Sequence, residues 1–185
     1  MTTLRPGRAA DRGMSRSSLY RATAAGKFER IARGLYRPAD APPADWDWLE
    51  AASRRADATI CLTSALAYHD LTDAIPDALD IAIPRGSRVP ASEGAIRWHL
   101  FARETFAIGR AQIEIPGSAE IIGIYSPQRS IVDAFRLRGE FGYELGRDAL
   151  RAWLRQGGKP SELMDLATRI PRSKGPLLQA LELLA

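Results

Sequence analysis

The sequence predicts an α+β protein with two domains. Helical patterns occupy both ends of the chain and flank four short segments in which apolar residues partly alternate with polar ones, which is the pattern of strands. Three prolines among residues 37–45 interrupt the helical pattern, because proline lacks the N–H group that a helix or a central strand needs. These observations predict domains at residues 1–38 and 45–185, joined by a linker at residues 39–44.

Size and composition are those of an ordinary cytoplasmic protein. The chain has 185 residues, of which 45% are hydrophobic and 26% are charged, enough for one domain or for a small domain attached to a medium one. The single cysteine, Cys61, excludes an internal disulfide and a cysteine-based metal cluster. No segment has the apolar run of a signal peptide or of a membrane span, so we expect a cytoplasmic protein without a membrane partner.

Positive charge is concentrated in the first fifth of the chain. Residues 1–38 contain nine lysines and arginines against two acids, a net charge of +7, whereas residues 39–185 contain seventeen against twenty, a net charge of −3. A basic segment attached to a mildly acidic body is typical of a module that binds a polyanion. The alternative interpretation is a solvated N-terminal arm without a partner.

The N-terminal domain has the pattern of a helix, a turn, a second helix and two strands. Residues 6–13 predict a short first helix. The second begins after Ser15, whose hydroxyl can accept hydrogen bonds from the first turn, and ends at Gly26. Residues 28–37 predict two short strands with a turn at residues 33–34. This order is that of a winged helix-turn-helix domain.

The second helix and the wing carry the side chains that DNA recognition requires. A recognition helix presents its N-terminal end to the major groove, where short polar side chains and an arginine contact phosphates and base edges. Basic residues of a wing follow phosphates or enter the minor groove, and we place Arg37 on this wing surface as well. The predicted DNA-binding residues are Ser15, Arg16, Ser17, Ser18, Arg21, Lys27, Arg30 and Arg33.

The second domain is predicted to start with two helices and to continue as a mixed sheet of about four strands. One helix begins at Asp45, with Trp46 facing inward and Trp48 exposed, and the other follows a cap at Thr63 or Ser64. The four strands are expected at residues 78–84, 95–101, 111–116 and 119–125.

A helical C-terminal tail follows the strands. Its first helix has Ser126 as the N-cap, Pro127 in the first turn and Gly139 at its end. We expect Arg129, Arg136 and Arg138 to make this helix basic, so that it contacts DNA or an acidic partner, or is simply solvated. Further helices are expected within residues 143–158, 161–170 and 175–185.

Three segments resemble AbiEi-type antitoxins: GMSRSSLYRATAAGKFERIARGLYRP, TSALAYHDLTDAIPDALDIAIPRGSR and YSPQRSIVDAF. The resemblance implies a winged helix-turn-helix domain followed by an α+β antitoxin domain, and it places the DNA contacts on the same eight residues. Its implied partners are double-stranded DNA of the protein's own operator, with inverted repeats, and an AbiEii-type nucleotidyltransferase toxin. The implied activities are repression of the protein's own operon and opposition to the toxin, without enzymatic activity.

Two other functions stay open. In the first, the basic segment of an antitoxin binds the toxin or RNA and does not recognise an operator. The second is a magnesium-dependent nuclease, which needs acids that converge on the metal and usually a lysine after a strand acid. None of the three lysines follows a candidate acid by two residues, and the candidates are Asp80, Glu93, Glu114 and Glu120.

Metal and cofactor sites are not indicated. The two histidines, His69 and His99, lie far apart without a cysteine or acid at ligand spacing. Cys61 precedes a predicted helix, and a buried structural thiol is favoured over a catalytic pair with His69. The sequence therefore predicts no catalytic residue, no metal and no cofactor.

Overall fold

The computed structural model describes residues 3–5 and 13–184, and it confirms the α+β class. The helices are α1 (Arg16–Ala24), α2 (Trp46–Arg54), α3 (Leu62–Tyr68), α4 (Arg103–Phe106), α5 (Pro127–Arg136), α6 (Arg138–Phe141), α7 (Tyr143–Arg155), α8 (Pro160–Arg169) and α9 (Lys174–Leu184). The strands are β1 (Phe28–Ala32), β2 (Leu35–Pro38), β3 (Thr59–Ile60), β4 (Leu79–Pro84), β5 (Ile96–Phe101), β6 (Arg110–Glu114) and β7 (Ile121–Tyr125). No helix in the described part of the chain has both the length and the apolarity to cross a bilayer.

The contacts divide the chain into two compact units. Unit 1 consists of Met1–Ala58, Arg88–Ile96 and Gln112–Ile122. Unit 2 consists of Thr59–Ser87, Arg97–Ala111 and Gly123–Ala185. The domain boundaries at residues 38 and 45 stay a prediction.

Unit 1 contains the predicted wing. Strands β1 and β2 pair antiparallel, and Gly34 allows the turn between them because its φ of +75° is a conformation that side chains with a Cβ rarely adopt. Leu4 extends the pair, since its N–H donates to the carbonyl of Tyr36 at 2.7 Å and its carbonyl accepts the N–H of Tyr36 at 2.9 Å. The helix predicted at residues 6–13 lies almost wholly outside the described residues, so a helix-turn-helix is not confirmed.

The second sheet has five strands in the order β5-β4-β3-β7-β6. The prediction of about four strands was therefore wrong by one. All four predicted strands are present, and the additional strand is β3, which pairs antiparallel with β4 and parallel with β7. Two residues are too few to show an alternating pattern in a sequence.

The helices of unit 2 form its largest apolar core. Buried side chains from α3, α5, α7, α8 and α9 pack together, with Phe135 and Trp153 among them. As predicted, α5 starts at Pro127, and the hydroxyl of Ser126 accepts the N–H of Arg129. Gly146 lets α7 approach α5, because a Cβ there would lie 3.3 Å from the ring of Phe135.

Some predicted side-chain orientations were wrong. Trp46 is 45% exposed, and Trp48 is partly buried, which reverses the expectation for α2. Arg129 is fully buried and cannot contribute to a basic surface. Its Nε donates to Asp133 at 2.7 Å, and its Nη1 donates to the carbonyls of Thr105 and Ile108. Cys61 is buried, as expected.

Candidate nucleic-acid interface

The N-terminal end of α1 is a cluster of three serines. The hydroxyl of Ser15 caps the helix by accepting the N–H of Ser18 at 3.0 Å. The same hydroxyl lies 3.0 Å from that of Ser17 and 2.8 Å from that of Ser18. The described first turn of α1 contains no acidic residue. Free N–H groups and the helix dipole give such an end a positive potential, which suits a phosphate oxygen.

One buried side chain anchors α1 to the wing. Leu19 is fully buried and packs in a cluster with Leu4 and Tyr36, and Met14 and Phe28 border that cluster. The ring centroids of Tyr20 and Tyr36 are 6.1 Å apart. The serine end of α1 and the wing are therefore held by one apolar cluster, so that their side chains can act on the same ligand.

Exposed cations lie on both α1 and the wing. Arg16 and Arg21 are exposed on α1, and Arg21 approaches the hydroxyl of Ser18 at 3.5 Å. Lys27 and Arg33 are exposed at the start of the wing and at its turn. An exposed guanidinium keeps its charge at every physiological pH, and its planar fork fits phosphate oxygens or a guanine edge.

Arg37 does not belong to this surface. It is buried, with 6% of its area exposed, and its guanidinium donates to the carbonyl of Pro42. Our placement of Arg37 on the phosphate-contacting wing was therefore wrong. Its role is to fix the segment after β2, since a buried guanidinium is stable only when its donors have acceptors.

The wing already has an acidic partner within unit 1. Glu93 accepts the backbone N–H of Arg33 at 2.7 Å, and its carboxylate lies 3.3 Å from the guanidinium of Arg30, which is half exposed. The charge of Arg30 is thus partly neutralised in the free protein. The sequence gives no signal for this contact because sixty residues separate Glu93 from the wing turn.

Glu50 holds the loop that carries Glu93. This buried carboxylate accepts the N–H groups of Glu93 and Gly94 and two donors of Arg54. Burial by itself raises the pKa of Glu50, but the hydrogen bonds from Gly94, Arg54 and Glu93 outweigh that effect and lower it. Arg54 also donates to the carbonyl of Arg33 at 3.3 Å, so α2 supports the wing turn directly.

Three of the four acids considered for a nuclease are used in other contacts. Asp80 is buried in unit 2 and lies 2.9 Å from Nε2 of His99. In unit 1, Glu93 contacts the wing, Glu120 accepts hydrogen bonds from Thr3, and Glu114 is exposed. Among the described residues, no group of three or more His, Cys, Asp or Glu side chains is placed to hold a metal ion.

Comparison with known proteins points to the segment that forms this surface. No curated protein matches the chain significantly. A family model does match, over residues 3–39, and its description is transcriptional regulator, AbiEi antitoxin. The matched segment contains α1, the wing and all eight predicted DNA-binding residues. The resemblance to AbiEi antitoxins is thus confirmed for residues 3–39, and it supports the role of an antitoxin and transcriptional regulator.

Proposed function

We propose that the protein is a DNA-binding antitoxin that represses its own operon and opposes an AbiEii-type nucleotidyltransferase toxin, without being an enzyme. One observation carries the proposal: an exposed Ser-Arg-Ser helix start is anchored by Leu19 to a wing with exposed cations. Under this proposal, residues 1–38 bind double-stranded DNA of the operator, and residues 45–185 act against the toxin. Residues 39–44 are the linker between these two domains.

Each predicted residue has a separate role in this proposal. Ser15, Ser17 and Ser18 and the first N–H groups of α1 hold phosphate oxygens. Arg16 reads a guanine edge with two hydrogen bonds, a contact worth about 1–3 kcal/mol of discrimination. Contacts to the DNA backbone come from the other cations, which are Arg21, Lys27, Arg30 and Arg33.

The test is a gel-shift titration of the full chain against its upstream DNA and an unrelated duplex of equal length, at two salt concentrations. We expect preference for the upstream DNA and a steep loss of affinity with salt, because each neutralised phosphate releases counterions. The preference should disappear in Arg16→Ala/Arg21→Ala. A matched variant, Arg151→Ala/Arg155→Ala, removes two α7 arginines and should keep it.

Two results would overturn the proposal. Equal binding to both duplexes at both salts would favour an antitoxin whose basic segment binds the toxin or RNA. Cleavage of either duplex on addition of Mg²⁺ would show the nuclease activity that the proposal excludes. Opposition to the toxin is measured separately, by co-expression with a neighbouring nucleotidyltransferase gene and growth of the host.

A further inference from the structure

A groove in unit 2 is lined by cations from two parts of the helical layer. Arg136 and Arg138 come from the end of α5 and the start of α6, whereas Arg172 precedes α9 and Lys174 is its first residue. Within the described residues, no acidic side chain lines this groove. Its volume of about 610 Å³ is in the range of sites for small ligands.

The charge of Arg136 is not fully compensated. The carboxylate of Asp133 is shared, since it accepts from Nε of Arg129 at 2.7 Å and from Nε of Arg136 at 2.9 Å. One negative charge therefore faces two positive charges in a largely buried setting. Moreover, Nη2 of Arg136 is buried and has no hydrogen-bond partner among the described residues. An unpaired buried donor is costly. The guanidinium that carries it lies over the ring of Phe101, with 4.7 Å between Cζ and the ring centroid, and a second negative charge in the groove would stabilise this cation further.

The start of α9 adds a positive potential to the same groove. The hydroxyl of Ser173, just before α9, donates to the carbonyls of Ala167 and Ile170 and so stabilises the end of α8. The described first turn of α9 contains no acidic residue. Pro176 in this turn has no N–H group, so the free N–H groups of Lys174 and Gly175 give the start of this eleven-residue helix its positive potential.

The backbone around the groove leaves room for a ligand. A Cβ built on Gly139 or Gly175 would have no heavy atom of the described residues within 4 Å. Arg172 has a φ of +67°, a conformation that costs energy for a residue other than glycine. Such strain often accompanies a functional site, where it sets the direction of a side chain.

We propose that this groove binds the phosphate groups of a compact polyphosphate ligand, such as the triphosphate of a nucleotide. Three exposed cations and the partly compensated Arg136 match the charge of a triphosphate, and arginine binds phosphate oxygens in pairs. The concave shape favours several phosphates in one place over the extended backbone of a duplex. The groove shares no residue with the proposed DNA interface, since all its lining residues belong to unit 2.

The experiment is titration calorimetry of the full chain with sodium tripolyphosphate at about 150 mM salt, where non-specific surface attraction is screened. We expect Arg138→Ala/Lys174→Ala to bind about tenfold more weakly or worse, since it removes two charge-assisted contacts. Arg155→Ala/Lys159→Ala removes the same two residue types elsewhere in unit 2 and should bind normally. Arg16→Ala/Arg21→Ala should also bind normally, which separates this site from the N-terminal cations.

A second variant guards against loss of folding. Gly175→Glu places an acid in open space at the start of α9, where it favours the helix but repels phosphate. It should unfold no earlier than wild type and yet fail to bind. Absence of tripolyphosphate binding in wild type overturns the proposal, and so does equal weakening in the control variants. Binding of unrelated duplex DNA alone, lost with Arg138→Ala/Lys174→Ala, would overturn it in favour of a nucleic-acid backbone.

Discussion

The carboxylate of Glu93 accepts the backbone N–H of Arg33 at 2.7 Å, sixty residues away in the chain. The same oxygen lies 3.3 Å from the guanidinium of Arg30. The wing turn is therefore stabilised by an acid that also competes with phosphate for one of the wing cations. Under the proposed function, affinity for DNA and stability of the wing are coupled through this single side chain.

Glu93→Gln should strengthen binding to DNA. The amide keeps an acceptor for the N–H of Arg33 but no longer holds the charge of Arg30. An exposed ion pair is worth roughly 0.2–1 kcal/mol, so we expect about 1.4- to fivefold tighter binding in fluorescence anisotropy. The dependence of affinity on salt should steepen by up to about 0.9 in log–log slope. Glu114→Gln makes the same charge change at an exposed position of unit 1, and equal behaviour of the two variants would contradict this account.

Acid should weaken unit 1 through Glu50. Because the folded pKa of Glu50 is lowered, its contribution is fully present above the ordinary value of 4.5 and is lost as the pH falls below it. Asp47 acts in the opposite direction, since burial and the charges of Asp45 and Glu50 raise its pKa. The variant Glu50→Gln isolates the effect. At pH 7 it should lose about 1–3 kcal/mol of stability in denaturant titrations, and the difference from wild type should shrink toward pH 3. A difference that stays constant with pH would show that packing, and not charge, explains the loss.

Leu19→Ala should abolish specific DNA binding without removing any cation. The truncation leaves a cavity in the cluster that joins α1 to the wing, and buried leucine truncations cost about 2–5 kcal/mol. Circular dichroism melting and anisotropy on the same samples check both effects. Tyr20→Ala alters a neighbouring side chain that is 48% exposed and should cost much less stability. If Leu19→Ala bound DNA with wild-type affinity, anchoring of α1 to the wing would not be required for specific binding.

Asp133→Asn should destabilise unit 2 severely. The substitution leaves Arg129 and Arg136 without their shared carboxylate in a buried setting, and breaking a buried pair costs about 3–5 kcal/mol. Asp148 offers a matched control, because it also contacts two arginines but is 55% exposed. Asp148→Asn should therefore lose no more than about 1 kcal/mol. Similar melting temperatures for the two variants would contradict the prediction.

The thiol of Cys61 should be unreactive in the folded protein. Burial, followed by the nearby charges of Asp80 and Asp133, raises its pKa well above the ordinary value of 9.0. At pH 8 the thiolate that reacts with iodoacetamide is therefore scarce. Labelling followed by mass spectrometry should be slow in buffer and fast in urea. Fast labelling without denaturant would mean that the segment around β3 opens readily.

Local signals in the sequence predicted most of the elements. Alternating apolar residues marked the four longer strands, and Ser126 and Pro127 marked the start of α5 because caps act within one turn. The short strand β3 was missed, since its pairing depends on β4 and β7, which lie far from it along the chain.

Long-range contacts explain the errors around the candidate sites. The cations of α1 and the wing could be found from composition, whereas the burial of Arg37 and the contact of Glu93 depend on tertiary structure. The burial of Arg129 in an ion pair does have a signal in the sequence. Asp133 follows it by four residues, a spacing that pairs opposite charges on one helix face, and apolar residues surround both.

The five-stranded sheet depends on the two residues of β3. Thr59 and Ile60 join β5 and β4 on one side to β7 and β6 on the other. Loss of pairing at these two residues would split the sheet into two pairs of strands, each too small to be stable alone. Their amide hydrogens should consequently exchange with solvent at the rate of global unfolding, so that two amides measure the cooperativity of the whole sheet.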